Sequence, residues 1–291
     1  MNLIPAVMVG ALVVGATYVL ITLGFTLSYR AGRVLNFAEG QLMLLGSYFF
    51  YTLSVSAHLP FAVALIGSIL LSALSGVLLF QVFLRRLVGQ SPLSLFLVTL
   101  GVAVVLTSVM NVVWGNSDLT VRAPGPAHIV HLPFHTALNL TQIAIIILAV
   151  LVYVVVLLLL RFLRVGIQMR ATAEAPLLAS QSGINIGAVW SIAWSMVGVT
   201  AALAGLAVAF TSVITPTTVQ KGILGLAPAI LAGLDSVEGV LLGSILIALL
   251  QTAATTYIGG DAADAAISVA LLLILALRPY GLFGVRQVGR V

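Results

Sequence analysis

The sequence predicts an all-α polytopic membrane protein, with about eight transmembrane helices, one broken or re-entrant crossing and an inverted internal repeat. Three observations carry that prediction. The 291 residues are 62% hydrophobic and only 7% charged, with a mean hydropathy of +1.25, whereas a soluble domain carries about 25% charged residues. The apolar residues fall into runs of the roughly 20 residues that a bilayer crossing needs. Arginines cluster where those runs end.

The runs cover residues 4–29, 35–55, 59–84, 93–114, 138–160, 189–213, 240–257 and 262–277. The N-terminus has neither a basic leader nor a small-residue cleavage site, so it is expected to be the first span and not a removable signal. A shorter apolar piece, residues 223–234, follows Pro216 and contains Pro228 and several glycines. It suits a broken helix enclosed by protein, because irregular backbone is tolerated at membrane depth only where its polar groups are satisfied.

Of the twelve basic residues, Arg30, Arg33, Arg85, Arg86, Arg161, Arg164, Arg170, Arg278, Arg286 and Arg290 all fall on one face if the N-terminus is outside. The positive-inside rule makes that face cytoplasmic. The crossings must then be odd in number, so the broken piece contributes one, with residues 235–239 inside and 258–261 outside. Arg122 and Lys221 alone lie elsewhere. The polar stretch 115–139 is expected outside, as a solvated loop facing a soluble partner. Its histidines, His128, His131 and His135, lack interleaved carboxylates and a ligand spacing, which argues against a metal site.

No catalytic constellation is present: there is no nucleophile elbow, no zinc-protease motif and no phosphate-binding glycine loop before a lysine. Asp261 is expected to cap the helix that begins beside Gly259 and Gly260. With no cysteine, disulfides and thiolate chemistry are excluded. The scattered basic residues are not a nucleic-acid footprint. Glu39 is the one acidic residue set inside an apolar run. Pairing with Arg30 or Arg33 near the membrane face competes with an alternative in which Glu39 titrates in an ion-coupled secondary transporter.

Two segments place small and polar residues inside apolar runs, one at residues 36–46 and one at 215–243. Interrupted helices at corresponding places of two halves point to a solute path, although glycines also serve close helix packing. The path candidates are Asn36, Phe37, Gly40, Gln220, Lys221, Gly222 and Gly225. A third segment, residues 161–187, is basic, small and helix-forming, with a helix expected over 170–180 along the membrane face. Pro176 suits its first turn, and Gly183 its end. Lipid headgroups are one partner that such a basic surface fits.

Four blocks resemble the permease subunits of branched-chain amino acid ABC importers, of the leucine/isoleucine/valine type. They are Gly24-Phe25-Thr26-Leu27 through Arg33 with Asn36-Phe37-Ala38-x-Gly40 and Leu45-Gly46-Ser47-Tyr48; then Arg170-Ala171-x-Ala173 through Ala179 and Gly183-Ile184-Asn185. The third is Lys221-Gly222 with Ala232-Gly233-Leu234-x-Ser236-x-x-Gly239 and Gly243, and the fourth Arg278-Pro279-Tyr280-Gly281-Leu282-Phe283-Gly284. The likeness spans essentially the whole chain and is closest to the first permease subunit. It implies one permease domain over 1–291 in a bacterial cytoplasmic (inner) membrane, N-terminus outside and C-terminus cytoplasmic. It also implies a homologous second permease as a heterodimer partner, two ABC ATPase subunits and an extracytoplasmic solute-binding protein. ATP would be used by those partner subunits, with no cofactor or catalysis in this chain.

The resemblance assigns ATPase coupling to Arg170, Ala171, Ala173, Glu174, Ala179, Gly183 and Ile184. The chain departs from the family pattern at Ala175, Pro176, Leu177 and Leu178, at Asp235 and Glu238, and at Glu39. Relatives handle urea, short amides and small organic or aromatic acids besides branched-chain amino acids, so the resemblance leaves the solute open.

Overall fold

Helix α1 (Ile4–Gly32) runs through the centre of the molecule, flanked by α8 (Ile186–Thr211), α11 (Val237–Tyr257) and α5 (Leu140–Phe162). The computed structural model describes residues 3–123, 129–132, 136–278 and 280–284. Helix α2 (Glu39–Tyr51) continues as wider π turns over Thr52–Ser56, and α3 (Phe61–Leu79) ends likewise in Phe80–Leu84 and a 3₁₀ turn, Arg85–Leu87. Then follow α4 (Pro92–Trp114), the short α6 (Arg164–Glu174) and α7 (Pro176–Gln181), the half-helices α9 (Thr218–Leu224) and α10 (Leu226–Ala232), and α12 (Gly260–Leu277).

Among the described residues, six helices are long and apolar enough to cross a membrane: α1, α3 with its extension, α4, α5, α8 and α11. The other two expected spans differ in kind. Helix α2 starts at Glu39 and not at residue 35, because residues 34–38 form a turn. Almost all of it is enclosed by neighbouring helices, which is why it tolerates Glu39, Gln41 and Ser47. Helix α12 has 18 residues, about 27 Å at the helical rise.

Small residues let these helices approach closely, as membrane helices generally require. A Cβ at Gly46 of α2 would stand 2.6 Å from Ala202 Cα of α8. Trp190 and Trp194 of α8 are fully enclosed, and Trp190 lies against Phe80 at 5.6 Å between ring centres. Across α1 and α11, Ser244 Oγ donates to Thr22 Oγ1 at 3.3 Å. The outward surface is aliphatic, with Leu70, Val104, Val112 and Ile147 all more than half exposed. Such a surface is stable only against lipid tails or other protein.

The expected loop 115–139 contains a small antiparallel hairpin, β1 (Ile129–Leu132) with β2 (Thr136–Asn139). This moves the start of the fifth span from residue 138 to Leu140. Asn139 caps that helix in a reciprocal box with Gln142, which satisfies two otherwise orphaned donors. His131 stands on β1, while Pro124, Pro126, His128 and His135 lie outside the described residues. An isolated bridge joins Leu119 to Ile214 on the same side of the molecule. The residue preceding α12 is Gly259, so Gly259 and not Asp261 occupies the cap position. Pro279, Arg286 and Arg290 also lie outside the described residues.

Candidate functional site

The first interruption is built around Asn36. Helix α1 ends at Arg33, whose φ of 58° is left-handed, and the chain turns before re-entering the fold as α2. Asn36 Oδ1 accepts from Ala38 N at 3.1 Å, and Asn36 Nδ2 donates to Glu39 Oε2 at 3.0 Å. Phe37 N donates to Thr99 Oγ1 at 3.3 Å, and Thr99 Oγ1 also lies 3.2 Å from Leu35 O. Phe37 packs edge-on against Phe96 at 4.7 Å. Non-helical backbone thus has its polar groups satisfied within the protein, as membrane depth demands.

Glu39 makes no pairing with Arg30 or Arg33 among the described residues, contrary to expectation. It is fully buried; its Oε2 takes the Asn36 amide, and its Oε1 has no hydrogen-bond partner there. Gly24 of α1 makes this possible, because any Cβ at that position would collide with the Glu39 carboxylate. The left-handed Arg33 turn carries the chain away from the arginines, so closeness in sequence does not become closeness in space.

The second interruption falls at Gly225, between α9 and α10. Pro228 has no N–H to offer Leu224 O, which weakens the helix and favours a kink or break at this point. Gly225 packs on Ile21 of α1, and Gly222 lies directly against Gly40. A Cβ at Gly40 would stand 2.5 Å from Val219 O. The two interrupted segments are therefore in backbone contact. Of the predicted path residues, Gly40, Gly222 and Gly225 form this seam, whereas Asn36 and Phe37 fix the turn behind it. Gln220 is exposed and outside the cavity described next.

Lys221 reaches the rim of a cavity of about 390 Å³ between α1, α8, α9 and α11. Its Nζ donates to Ser212 Oγ at 3.1 Å. Polar residues from three distant helices, Tyr18, Thr211, Gln251 and Thr252, also line this space. Sequence reasoning missed all four. The run Gln251-Thr252-Ala253-Ala254-Thr255-Thr256 inside an apolar span was the available signal.

At the arginine-bearing end, the expected single helix over 170–180 is two. Helix α6 stops at Glu174, Ala175 is extended (φ −147°, ψ 80°), and Pro176 opens α7. The cause is local: proline disfavours helical backbone at the residue before it. Gly183 ends α7 as expected, with φ 82° and Ile184 N bonded to Ala179 O at 3.0 Å, the pattern of a left-handed helix stop. Thr172 Oγ1 lies 3.3 Å from Ala31 O, tying α6 to α1.

Among the coupling candidates, Arg170, Glu174 and Gly183 are exposed; Ala171, Ala173 and Ile184 are half-buried. Ala179 faces inward at 5% exposure, while Leu177 and Leu178 stand out at 72% and 62%. Beside them a second cavity of about 380 Å³ is walled by Arg30, Arg33, Arg170, Glu174, Asp235 and Glu238. The acidic residues that break the family pattern thus face the arginines and balance their charge. The turn 280–284 closes this end: Leu282 N and Phe283 N donate to Leu231 O and Ala232 O at 2.8 and 3.1 Å, satisfying carbonyls that the end of α10 leaves open.

The family model described as branched-chain amino acid transport system / permease component matches residues 7–277. The chain belongs to this family. Its relatives include the high-affinity branched-chain amino acid transport system permease protein LivH of Escherichia coli K12, 25% identical over 98% of this chain and 96% of the relative. BraD of Pseudomonas aeruginosa, named likewise, is 26% identical over 98% and 97%. A probable branched-chain amino acid transport permease protein LivH of Methanocaldococcus jannaschii is 28% identical over 95% and 91%. This chain is accordingly a multi-pass transport permease. The arrangement provides interrupted helices in contact, a polar cavity beside them and an exposed apolar edge on α7 at the basic end.

Proposed function

We propose that this permease forms half of the translocation pathway of an ABC importer for branched-chain amino acids, working with a homologous second permease, two ATPase subunits and an extracytoplasmic binding protein. Full-length membership of the permease family, together with the exposed Leu177–Leu178 edge of α7, is the observation that supports it. Force generated in the ATPases would enter through α6 and α7. Thr172 ties α6 to α1, and α1 contacts the seam of interrupted helices. The basic end is then cytoplasmic and the hairpin end external, where a binding protein would dock. Two interrupted helices packed together are what an inverted internal repeat would produce.

The ion-coupled alternative loses its footing, because Glu39 is occupied with Asn36 and buried behind the seam. Vesicles holding this chain alone are expected to show no leucine uptake under a proton gradient. Vesicles holding all partners are expected to take up leucine only with ATP inside. Gradient-driven uptake by the chain alone would overturn the proposal.

A further inference from the structure

We infer that the cavity between α1, α8, α9 and α11 is a solute subsite for a small amphipathic monocarboxylate, with Lys221 supplying the counter-charge. This rests on the permease reading and goes beyond it by naming the group recognised and the residue that recognises it.

The volume, about 390 Å³, falls in the range of small-molecule sites, roughly 300–1,000 Å³. Lys221 is the chain's single lysine. Its ammonium carries three donors, of which Ser212 Oγ takes one. No carboxylate pairs with it among the described residues. Thr17, Thr211, Thr255 and Thr256 add hydroxyls to the wall.

The remaining wall is aliphatic, from Val13, Val14, Ile21 and Val208. One cation at the mouth, polar groups within and an apolar lining fit a solute with one carboxylate and a short branched tail. Lysine acts as a point charge and offers no fork for a dianion.

The chain has no cysteine, so one introduced thiol reports on the cavity alone. Thr255→Cys, on the exposed part of the wall, is made in the complete importer in phosphatidylcholine vesicles, and labelling is read on this chain's own gel band. An anionic methanethiosulfonate is expected to react about tenfold faster than a cationic one, the low end of electrostatic focusing. Adding Lys221→Gln is expected to remove the preference, and Lys221→Arg to keep it. Leucine is expected to slow labelling, and leucinamide to leave it unchanged. Thr256→Cys serves as a second reporter should the first disturb folding.

No charge preference, a preference indifferent to Lys221→Gln, or equal protection by leucine and leucinamide would each overturn the subsite. So would labelling blocked in the assembled importer but open in the isolated chain, which would mean that the second permease fills the space. Slowing by phosphatidylglycerol in place of phosphatidylcholine, without any leucine effect, would assign the site to lipid instead. ATP-driven uptake by the unmodified importer judges the permease reading separately, so the two failures are distinguishable.

Discussion

Gly40→Ala puts one methyl group into the seam where α2 meets α9. Its Cβ would stand 2.5 Å from Val219 O and 3.1 Å from Val219 Cγ1. The carbonyl is backbone and cannot rotate aside. Ordinary contact begins near 3.4 Å, so α9 must retreat by 3.4 − 2.5, about 0.9 Å. A radial gap of about that size forfeits roughly a quarter to a half of each dispersion well along the contact, and overpacking of this kind costs ~1–3 kcal/mol. Alanine returns ~0.5–1 kcal/mol of helix propensity, which leaves a net loss of about 0–2.5 kcal/mol, centred near 1. The control is Gly101→Ala in α4, where an added Cβ meets nothing within 4 Å and only the propensity gain remains. Thermal unfolding of the purified chain in detergent is the assay. Gly40→Ala is expected to melt below the unaltered chain and Gly101→Ala at or slightly above it. If both melt alike, the two interruptions are not in backbone contact and the seam is wrong.

Further predictions concern the turn and the docking edge. Glu39→Gln keeps an acceptor for Asn36 Nδ2, so stability and ATP-driven uptake should stay near normal. Glu39→Ala strands that buried amide and should cost about 1–3 kcal/mol in the same melt; loss of uptake from the Gln variant would instead restore a titrating role. Gly183→Ala meets no neighbour yet must hold φ near 82°. It should destabilise by about 1–2 kcal/mol, with weaker ATPase co-purification and all spans intact by circular dichroism.

Most spans were legible because apolar length is a strong, local signal. The start of α2 was not, since Leu35 and Phe37 look like span residues until Asn36 is recognised as binding its own turn. The split of the coupling segment was legible in Ala175–Pro176, through the restriction that proline places on its predecessor. The seam was half visible: glycines at 40, 222 and 225 marked it, but only packing shows that Gly40 meets Gly222. The cavity was hidden for a different reason. Tyr18, Thr211 and Gln251 lie on helices far apart in sequence, and no spacing rule joins them. Leu177 and Leu178 show the reverse case, where a departure from the family pattern became an exposed apolar edge of α7.

In the proposed importer, ATPase subunits drive this permease through α7. Burying Leu177 and Leu178 in a partner would contribute at most ~1.5–3 kcal/mol each, so replacing both by serine should weaken docking by up to roughly a hundredfold to ten-thousandfold. The decisive measurement is ATP-driven leucine uptake by the complete importer in vesicles, beside ATP hydrolysis stimulated by the loaded binding protein, for the unaltered permease and for Leu177→Ser/Leu178→Ser. The double variant, inserted at normal levels, is expected to lose both uptake and stimulated hydrolysis. Undiminished uptake and stimulation from that variant would contradict coupling through α7.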